Sequence, residues 1–323
     1  MHENDVKVRV RSILMTVCFA STGAYALAIM QCECGLLSLV DAAATLTSWG
    51  TFQFSVIVPV AMLAVEAVIV GWRNSSLAIL LRWDRSVKTD FLYWALQFTV
   101  VQQIIIFLTT AGLYAPLNAL ADRYSLKIAV VSNPILQVFI IFMVTDIGAY
   151  WVHRWLHKSH FMWEAHKVHH SATSFNMMMA FRTHPLERAI WEGVNILLFL
   201  MLGATFGTYV VFTMIYYILG VIQHSRVDWD FGLLGKIFVS PTFHRFHHSI
   251  KRVDFDKNFG ARLVIWDKLF GTYSEEIISP ETVGVEENTY AENPVHIEFF
   301  RPYYEFASRL FGISRKKEES ITS

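Results

Sequence analysis

The first half of the chain consists of long apolar runs separated by short polar connections. Four runs, residues 12–30, 52–71, 91–115 and 134–152, each carry at most one charged side chain. A helix needs about 20 apolar residues to cross a bilayer, so each run predicts one crossing. Two of the runs contain a lone acid, Glu66 and Asp146. An acid within a membrane normally faces the protein interior, and we expect this of both.

A fifth apolar stretch, residues 193–223, has a different organisation. At a rise of about 1.5 Å per residue, a single helix of this length would be far longer than a bilayer is thick. It would also carry His224 away from the other histidines. Gly203 and Gly207 interrupt the stretch near its middle. We therefore expect a short re-entrant hairpin of two helices that enters the membrane and returns on the same side.

Basic residues are unevenly distributed over the connections. The N-terminal tail and residues 73–88 are rich in Lys and Arg, residues 32–51 have none, and many follow residue 152. Because positively charged loops stay on the cytoplasmic side, this distribution places both termini and the histidine-rich region in the cytoplasm. After residue 225 the chain becomes polar and mixed, and the tail after residue 312 is expected to be disordered.

The composition supports a membrane protein and excludes several other classes. Hydrophobic residues make up 54% of the chain and charged residues 17%, whereas soluble domains are about a quarter charged. The net charge is zero with neutral histidines, so nothing favours a nucleic-acid partner. The three cysteines, Cys18, Cys32 and Cys34, lie far from the histidines. They therefore predict neither a disulfide framework nor a cysteine-rich zinc site.

The histidines are the most unusual feature of the sequence. Eleven of the thirteen fall between His153 and His248, and eight form three clusters. The clusters are His153-x-x-x-His157, His166-x-x-His169-His170 and His244-x-x-His247-His248. Residues three or four apart share a face of a helix, and imidazole is the commonest metal ligand near neutral pH. A single metal takes about four to six ligands, so eight histidines indicate a two-metal site.

We expect the other histidines to differ in their roles. His224 ends the predicted hairpin, which would bring it back among the clusters as a ligand. His184 is either a further ligand or a residue that supports the ligands, and the sequence leaves both interpretations open. For His160 we favour a structural or surface role, and we expect His2 and His296 to be solvated.

Three carboxylates are candidates for orienting the ligands. Asp146 precedes His153 by seven residues, so the two side chains share a helix face. Metal-bound histidines usually donate their second ring N–H to such an acceptor. The alternative for Asp146 is a polar contact between helices. Glu187 and Asp256 are further candidates for the same orienting role.

The histidine clusters belong to a longer ordered pattern between residues 145 and 273. Its residues are Asp146-x-x-x-Tyr150-Trp151-x-His153-Arg154-x-x-His157, Trp163-x-x-His166-x-x-His169-His170-Ser171, Asn176, Arg182-x-His184-Pro185-x-Glu187, Gln223-His224, Pro241-x-x-His244-x-x-His247-His248, Asp256-x-Asn258-Phe259-Gly260 and Trp266-Asp267-x-Leu269-Phe270-Gly271-Thr272-Tyr273. This order and spacing resemble the fatty acid hydroxylase / sterol desaturase superfamily of membrane di-iron enzymes.

The resemblance implies a function and a set of ligands. It implies two irons, molecular oxygen as co-substrate, and hydroxylation or desaturation of a sterol, fatty acyl or related lipid drawn from the bilayer. It also implies two electrons from a separate donor, such as a cytochrome b5-like protein, a ferredoxin or a reductase. The predicted metal-binding set comprises His153, His157, His166, His169, His170, His184, His224, His244, His247 and His248.

The expected architecture is an all-α, polytopic membrane helix bundle with about four crossings, the re-entrant hairpin and a cytoplasmic, histidine-rich helical cap. Residues 1–133 would form N-terminal membrane helices, residues 134–275 the catalytic domain, and residues 276–323 a cytoplasmic C-terminal extension. The multi-pass chain would carry its active site on the cytoplasmic face of the membrane.

Two functions of other classes stay open on the sequence. The first is a zinc-dependent membrane hydrolase. The H-E-x-x-H signature of a zinc protease is not met, because Arg154 follows His153 and Lys167 follows His166. The second is a metal-handling protein such as a transporter. That function would place the ligands inside the crossing helices, whereas here they follow them.

Overall fold

The computed structural model describes residues 49–96, 119–120, 123, 133–204, 206–275, 282–286, 293 and 295–311. Regular structure within these ranges is helical, apart from two isolated β-bridges, Phe238 with Leu263 and Ser249 with Val283. The helices are α1 (Trp49–Val70), α2 (Ser76–Leu80), α3 (Arg85–Leu96), α4 (Pro134–Lys158), α5 (His160–His170), α6 (Pro185–Met201), α7 (Phe206–Gln223), α8 (Pro241–His247), α9 (Ile265–Leu269) and α10 (Val295–Leu310). Short 3₁₀ turns occupy Trp72–Asn74, Met177–Phe181, Leu234–Lys236 and Arg252–Asp254. The all-α part of the prediction is confirmed for the described ranges.

Helix α4 carries the first two predicted ligands. Asn133 caps it by accepting hydrogen bonds from Ile135 N at 3.0 Å and Leu136 N at 3.1 Å, and Pro134 fills its first turn. The helix continues past the predicted end of the apolar run at residue 152 as far as Lys158. Its last turns therefore hold His153 and His157, so these ligands extend directly from a long apolar helix.

Within the part of the chain that the structure describes, Ile135–Lys158 is the helix long and apolar enough to cross a membrane. Val56–Val70 and Phe212–Gln223 are shorter apolar helices. The predicted crossing at residues 12–30 lies outside the described residues, as does most of residues 91–115. The count of four crossings and the side on which the site lies stay predictions.

Helix α3 overlaps the start of the third apolar run. Helix α3 begins at Arg85, six residues before the apolar run, and so includes the fully buried Asp90. The buried charge is tolerated because Arg182 Nη1 donates to Asp90 Oδ1 at 2.9 Å and Asn176 Nδ2 donates to Asp90 Oδ2 at 3.0 Å. An ion pair with a neighbouring hydrogen bond offsets much of the cost of removing the carboxylate from water.

The fifth apolar stretch forms two helices, as expected. Helices α6 and α7 are separated by a turn at Gly203, whose φ of 64° lies in the left-handed region that favours glycine. Phe199 of α6 and Phe212 of α7 pack together with ring centroids 5.2 Å apart, and both share a core cluster with Ile141 of α4. The entry of this helix pair into a membrane stays a prediction.

Glu66 faces the interior, as expected of a lone acid in an apolar helix, and is only 1% exposed. Its carboxylate accepts hydrogen bonds from Ser76 Oγ at 2.9 Å and from the backbone N of Arg226 at 2.6 Å. These bonds tie α1 to α2 and to the chain just beyond His224. Glu66 thereby helps to fix where α7 delivers that histidine.

Arg182 connects α3 with the C-terminal end of α5. Its guanidinium is 1% exposed and, besides Asp90, donates from Nε to Val168 O at 2.9 Å and from Nη2 to Ser171 Oγ at 2.7 Å. Val168 and Ser171 directly flank the pair His169-His170. The arginine therefore holds the residues on both sides of two predicted ligands, one through its backbone carbonyl and the other through its side-chain hydroxyl.

We expect Asp90→Ala to lower the free energy of unfolding by about 3–5 kcal/mol, because the buried Arg182 would lose its partner. Asp256→Ala is the matched control, since its ion pair with Lys158 is exposed, and there we expect a loss of about 0–1 kcal/mol. Unfolding of the detergent-solubilised full chain would measure both. Equal losses in the two variants would contradict the importance of the buried pair.

Candidate metal centre

The predicted ligands are delivered by the ends of four helices. Ser240 caps the short helix α8 by accepting from Phe243 N at 3.2 Å, and Pro241 occupies its first turn. The cap fixes where helix α8 begins, and therefore where the histidines of the third cluster lie along it. The contributing positions are the last turns of α4 (His153, His157), the C-terminal half of α5 (His166, His169, His170), the residue after α7 (His224), and α8 with the residue that follows it (His244, His247, His248).

Nine of the ten predicted histidines converge, in two adjoining groups. In each group, one ring nitrogen from every member lies within 4.8 Å of the others. The five-histidine group comprises His153, His157, His166, His170 and His247, and the four-histidine group comprises His169, His224, His244 and His248. The groups meet where the rings of His170 and His248 stack with centroids 4.4 Å apart. The described structure therefore presents two neighbouring candidate metal positions.

In the five-histidine group, His153 and His166 show most directly that a cation fits. His153 Nδ1 lies 2.8 Å from Phe259 O, and His166 Nδ1 lies 2.9 Å from Glu187 Oε1. Both oxygens only accept, so in each neutral ring Nδ1 carries the proton and Nε2 is a lone pair. The two Nε2 atoms nevertheless face each other at 3.2 Å. Adjacent ligands about 2.0–2.1 Å from one metal lie about 2.9–3.4 Å apart, which matches this separation.

Other members of the five-histidine group present unsatisfied nitrogens to the same point. His247 Nδ1 lies 2.9 Å from Lys257 O, which leaves its Nε2 as a lone pair. The Nε2 atoms of His157, His170 and His247 are buried and have no hydrogen-bond partner among the described atoms. A buried polar atom without a partner is costly. Coordination of a metal would satisfy all three.

The four-histidine group has the same inward geometry. His224 Nδ1 lies 2.7 Å from Gly220 O, so its Nε2 is the free lone pair. That atom lies 3.0 Å from His244 Nε2 and 3.4 Å from His169 Nε2, and His248 Nε2 lies 3.2 Å from His244 Nε2. Four Nε2 atoms therefore point at one another, at the separations expected around a single ion.

Burial favours the neutral form of six of these imidazoles. Removal from water, the largest cause, lowers the pKa of His247 to about 3 and that of His224 to about 4. The same cause, together with repulsion between neighbouring imidazoles, places the pKa of a further set well below its usual range. That set is His169, His170, His244 and His248. Neutral rings at physiological pH are the form that binds metal.

The donor set therefore fits two transition-metal ions. It consists of five and four imidazole nitrogens, a ligand type that suits iron, zinc, copper and nickel. A zinc site usually takes about four ligands in a tetrahedron, and the five-histidine group offers more. This count favours a metal with a higher coordination number in that position.

Of the three predicted carboxylates, Glu187 contacts one of the converging histidines. Its Oε1 accepts from His166 Nδ1 and also from Trp191 Nε1 at 3.1 Å. The second bond fixes the carboxylate, which is 3% exposed, against α6. This contact favours a proton on Nδ1 of His166 and orients its ring.

The expectation for Asp146 is corrected. Its carboxylate accepts from Tyr216 OH, from Leu263 N at 3.0 Å and from Trp266 Nε1 at 2.9 Å, so it forms the polar contact between helices. Asp146 and His153 share a helix face, but seven residues correspond to a separation of about 10 Å along the axis. That distance exceeds the reach of a hydrogen bond.

The expectation for Asp256 is also corrected. Its side chain is 44% exposed and pairs with Lys158 Nζ at 2.6 Å on the surface. Its φ of 61° places it in a left-handed turn. The turn directs the chain back into the protein, where the backbone carbonyls of Lys257 and Phe259 meet ligand imidazoles. Asp256 contributes the turn, and the residues after it contribute the contacts.

His184 lies outside both histidine groups. It is fully buried; its Nε2 donates to Phe299 O at 2.9 Å, and its Nδ1 accepts from Leu186 N at 3.2 Å. Its ring packs on Tyr303 with centroids 4.8 Å apart. Burial lowers its pKa to about 4. Both ring nitrogens are engaged, so His184 anchors α10 and is corrected from a ligand to a structural residue. His160 is exposed, as expected.

Sequence reasoning missed the groups that orient the ligands through the backbone. The carbonyls of Gly220, Lys257 and Phe259 accept from ligand imidazoles, and no residue type signals such a contact. It also missed the hydrogen bonds from Arg182 to the two residues that flank His169-His170. The available signal was an arginine directly after the apolar run Met177–Phe181, where burial requires an ionic partner.

Comparisons with known proteins agree with this site. The family model described as fatty acid hydroxylase matches residues 138–272, a range that includes all nine converging histidines. No solved structure matches the chain.

Among the curated relatives, alkylglycerol monooxygenase of Homo sapiens is 33% identical over 136 residues, 42% of this chain and 30% of that protein. Ornithine lipid hydroxylase of Rhizobium tropici is 30% identical over 137 residues, 42% of this chain and 41% of that protein. Methylsterol monooxygenase 1 of Danio rerio is 31% identical over 144 residues, 43% of this chain and 47% of that protein. The chain thus spans less than half the length of these relatives.

We expect Glu187→Ala to weaken metal binding by the five-histidine group about 10–100-fold, because His166 would lose the acceptor that orients it. Metal analysis of the purified full chain after dialysis against graded chelator concentrations would measure the loss. Glu192→Ala is the matched control, since Glu192 lies on the same helix and pairs with Arg188. Identical metal retention in both variants would contradict the orienting role of Glu187.

We expect His184→Ala to leave the metal content unchanged, because neither of its nitrogens belongs to a histidine group. The free energy of unfolding should fall by about 1–3 kcal/mol, since the buried carbonyl of Phe299 would lose its donor. Metal analysis and thermal unfolding would be compared with His247→Ala, which removes a candidate ligand. A metal loss in His184→Ala as large as that in His247→Ala would restore His184 to the ligand set.

Proposed function

We propose that this chain is a membrane-bound di-iron oxygenase that hydroxylates an aliphatic carbon of a lipid, because the fatty acid hydroxylase family model matches residues 138–272. The reaction consumes one O2, two electrons and two protons for each C–H bond converted to C–OH, and it releases water. The observation that carries the proposal is the convergence of nine histidines, eight of them buried, on two adjoining positions.

The proposed chemistry explains why the site needs metals. An aliphatic C–H bond offers no acidic proton and no leaving group, so side chains alone have no means of attacking it. Two bound irons would supply the activation of oxygen and the removal of hydrogen from carbon, chemistry that belongs to the cofactor. The protein supplies the ligands, their orientation and a site closed to water.

The residues divide into ligands and supports. One iron would be held by the five-histidine group and the other by the four-histidine group. Glu187 and the carbonyls of Phe259, Lys257 and Gly220 keep a proton on Nδ1 of their imidazoles, so that Nε2 stays available to metal. The burial of both groups excludes bulk water, which protects a reactive centre from side reactions.

A lipid substrate follows from the surroundings of the site and from the relatives. Two ligands, His153 and His157, lie at the end of the candidate membrane helix Ile135–Lys158, so the centre would lie near the headgroups, where a lipid can enter from the bilayer. The curated relatives are named for an alkylglycerol, an ornithine lipid and a methylsterol. Their names describe hydroxylation or monooxygenation, which favours hydroxylation over desaturation here.

Topology and electron supply complete the proposal. The uneven loop charges place the centre on the cytoplasmic face of a multi-pass protein. The two electrons would come from a separate carrier, such as a cytochrome b5-like protein, a ferredoxin or a reductase. A cytoplasmic site would be accessible to such a soluble or membrane-anchored donor.

The test is a comparison of lipids in cells that express the full chain or its His169→Ala variant, with and without oxygen. We expect a lipid that gains one oxygen atom only in air and only with the unchanged chain, with the atom derived from isotopically labelled O2. His169→Ala should lose iron and activity together because a ligand is removed. Lipid mass spectrometry and metal analysis of the purified protein measure both.

His160→Ala is the control, because His160 lies on the same helix as His169 but is exposed. It should retain iron and activity. A product that forms without oxygen, or a purified protein that contains zinc and no iron while active, would overturn the proposal.

A further inference from the structure

Two of the ligands are oriented by one short loop, residues 257–260, which we call the carbonyl loop. The carbonyl of Lys257 accepts from His247 Nδ1 at 2.9 Å, and the carbonyl of Phe259 accepts from His153 Nδ1 at 2.8 Å. Both imidazoles belong to the five-histidine group. The position of this loop therefore sets the direction of two Nε2 lone pairs in one group and of none in the other.

The carbonyl loop is held from behind by Asp267 of α9. Asp267 is fully buried; its Oδ1 accepts from Phe259 N and its Oδ2 from Gly260 N, both at 2.7 Å. Thr272 Oγ1 donates to Oδ1 at 2.7 Å as well. Two of the three donors are consecutive backbone amides of the loop. The carboxylate thus fixes the plane of the peptide group that contains the Phe259 carbonyl.

The surroundings leave the loop little freedom to find another conformation. Asn258 has a φ of 59°, its backbone N donates to Thr272 O at 2.8 Å, and its Oδ1 accepts from Ser274 N at 2.9 Å. A Cβ at Gly260 would lie 2.6 Å from Leu263 O and 2.7 Å from Asp267 Oδ2. The close approach of Asp267 to the loop therefore requires glycine at this position.

The same contacts connect the loop to the helix that carries His153. Thr272 Oγ1 lies 2.9 Å from Tyr150 OH, and Tyr150 precedes His153 by three residues on α4. Asp267, Thr272 and Tyr150 therefore form a continuous buried path from the carbonyl loop to α4. One hydrogen-bond network therefore positions both the imidazole of His153 and the carbonyl of Phe259 that accepts from it.

We propose that Asp267 is a positioning residue: its carboxylate holds the carbonyl loop in the conformation that presents two backbone carbonyls to imidazoles of the five-histidine group. This inference rests on the metal centre proposed above. It assigns the centre a support that touches neither metal nor ligand and acts only through the backbone.

The charge of Asp267 suits this role. Burial raises its pKa to about 6, while its hydrogen bonds to Thr272, Gly260 and Phe259 act in the opposite direction. At neutral pH the group is therefore largely ionised, and both oxygens accept. Asparagine has the same shape but only one accepting oxygen, so in Asp267→Asn an NH2 group would face either the Gly260 N–H or the Phe259 N–H and Thr272 hydroxyl.

The experiment measures metal in the purified full chain, loaded with ferrous iron and exposed to a chelator. In Asp267→Asn we expect the iron content to fall from about two to about one per chain, because the affinity of the five-histidine group drops about 10–100-fold. Combining this change with His157→Ala, which removes a ligand from the same group, should remove no further iron. Combining it with His244→Ala should remove the remaining iron.

A milder variant keeps the test decisive if Asp267→Asn does not fold. Thr272→Val is close in shape and removes one hydroxyl donor to Asp267, so we expect iron to leave the five-histidine group about 2–10-fold faster. Release from the four-histidine group should stay unchanged. Asp256→Asn is the control, since Asp256 is adjacent to the loop but exposed, and it should match the unchanged chain.

Three results would count against the inference. Unchanged iron release in both Asp267→Asn and Thr272→Val would overturn it. Parallel loss of both irons with a lower unfolding temperature would show that Asp267 maintains the fold in general, which also overturns it. An unchanged chain that binds no iron would instead reject the metal centre itself, so the two failures are distinguishable.

Discussion

The structure depends on one electrostatic constraint, the close approach of ring nitrogens in a largely buried set of imidazoles. Nine rings converge, and pairs of Nε2 atoms approach to 3.0–3.4 Å. In the pair His153 and His166, where each Nδ1 faces an oxygen acceptor, no hydrogen bond between the two Nε2 atoms can relieve this approach. Bound metal would satisfy these lone pairs, and the surrounding fold would have to resist the separation of the rings. The contacts of the residues around the histidines bear on the second of these two requirements.

The fold meets the second requirement by holding the backbone next to each ligand. Arg182 grips the chain on both sides of His169-His170, and Glu66 fixes the chain just beyond His224. A cap at Ser240 starts the short helix that carries the third cluster. The side chains of Arg182 and Glu66 are almost fully buried. The cost of burying these charges is offset by bonds that determine where the ligands lie.

The sequence was sufficient for the features that follow from local geometry. Spacings of three and four residues placed the histidines on shared helix faces, the apolar pattern predicted α4, and the glycine-interrupted stretch predicted the break between α6 and α7. The same local reasoning failed where the outcome depended on distance or on the backbone. Asp146 shares a face with His153 but lies two turns away, and His184 has the chemistry of a ligand but packs against α10. The carbonyls that orient His153, His224 and His247 belong to residues whose side chains are irrelevant to the contact.

The two histidine groups differ in how firmly they are oriented. Three members of the five-histidine group have Nδ1 fixed by an oxygen acceptor, namely His153, His166 and His247. In the four-histidine group His224 has such an acceptor, whereas the Nδ1 atoms of His169, His244 and His248 have no partner among the described atoms. A hydrogen bond to the distal nitrogen raises the basicity of an imidazole and fixes its orientation. The two metals would therefore experience different ligand fields although all their donors are histidines. The five-histidine position would be the more firmly oriented and the more electron-rich of the two. The difference between the two positions would arise from backbone carbonyls and from Glu187, because the ligand type is the same in both.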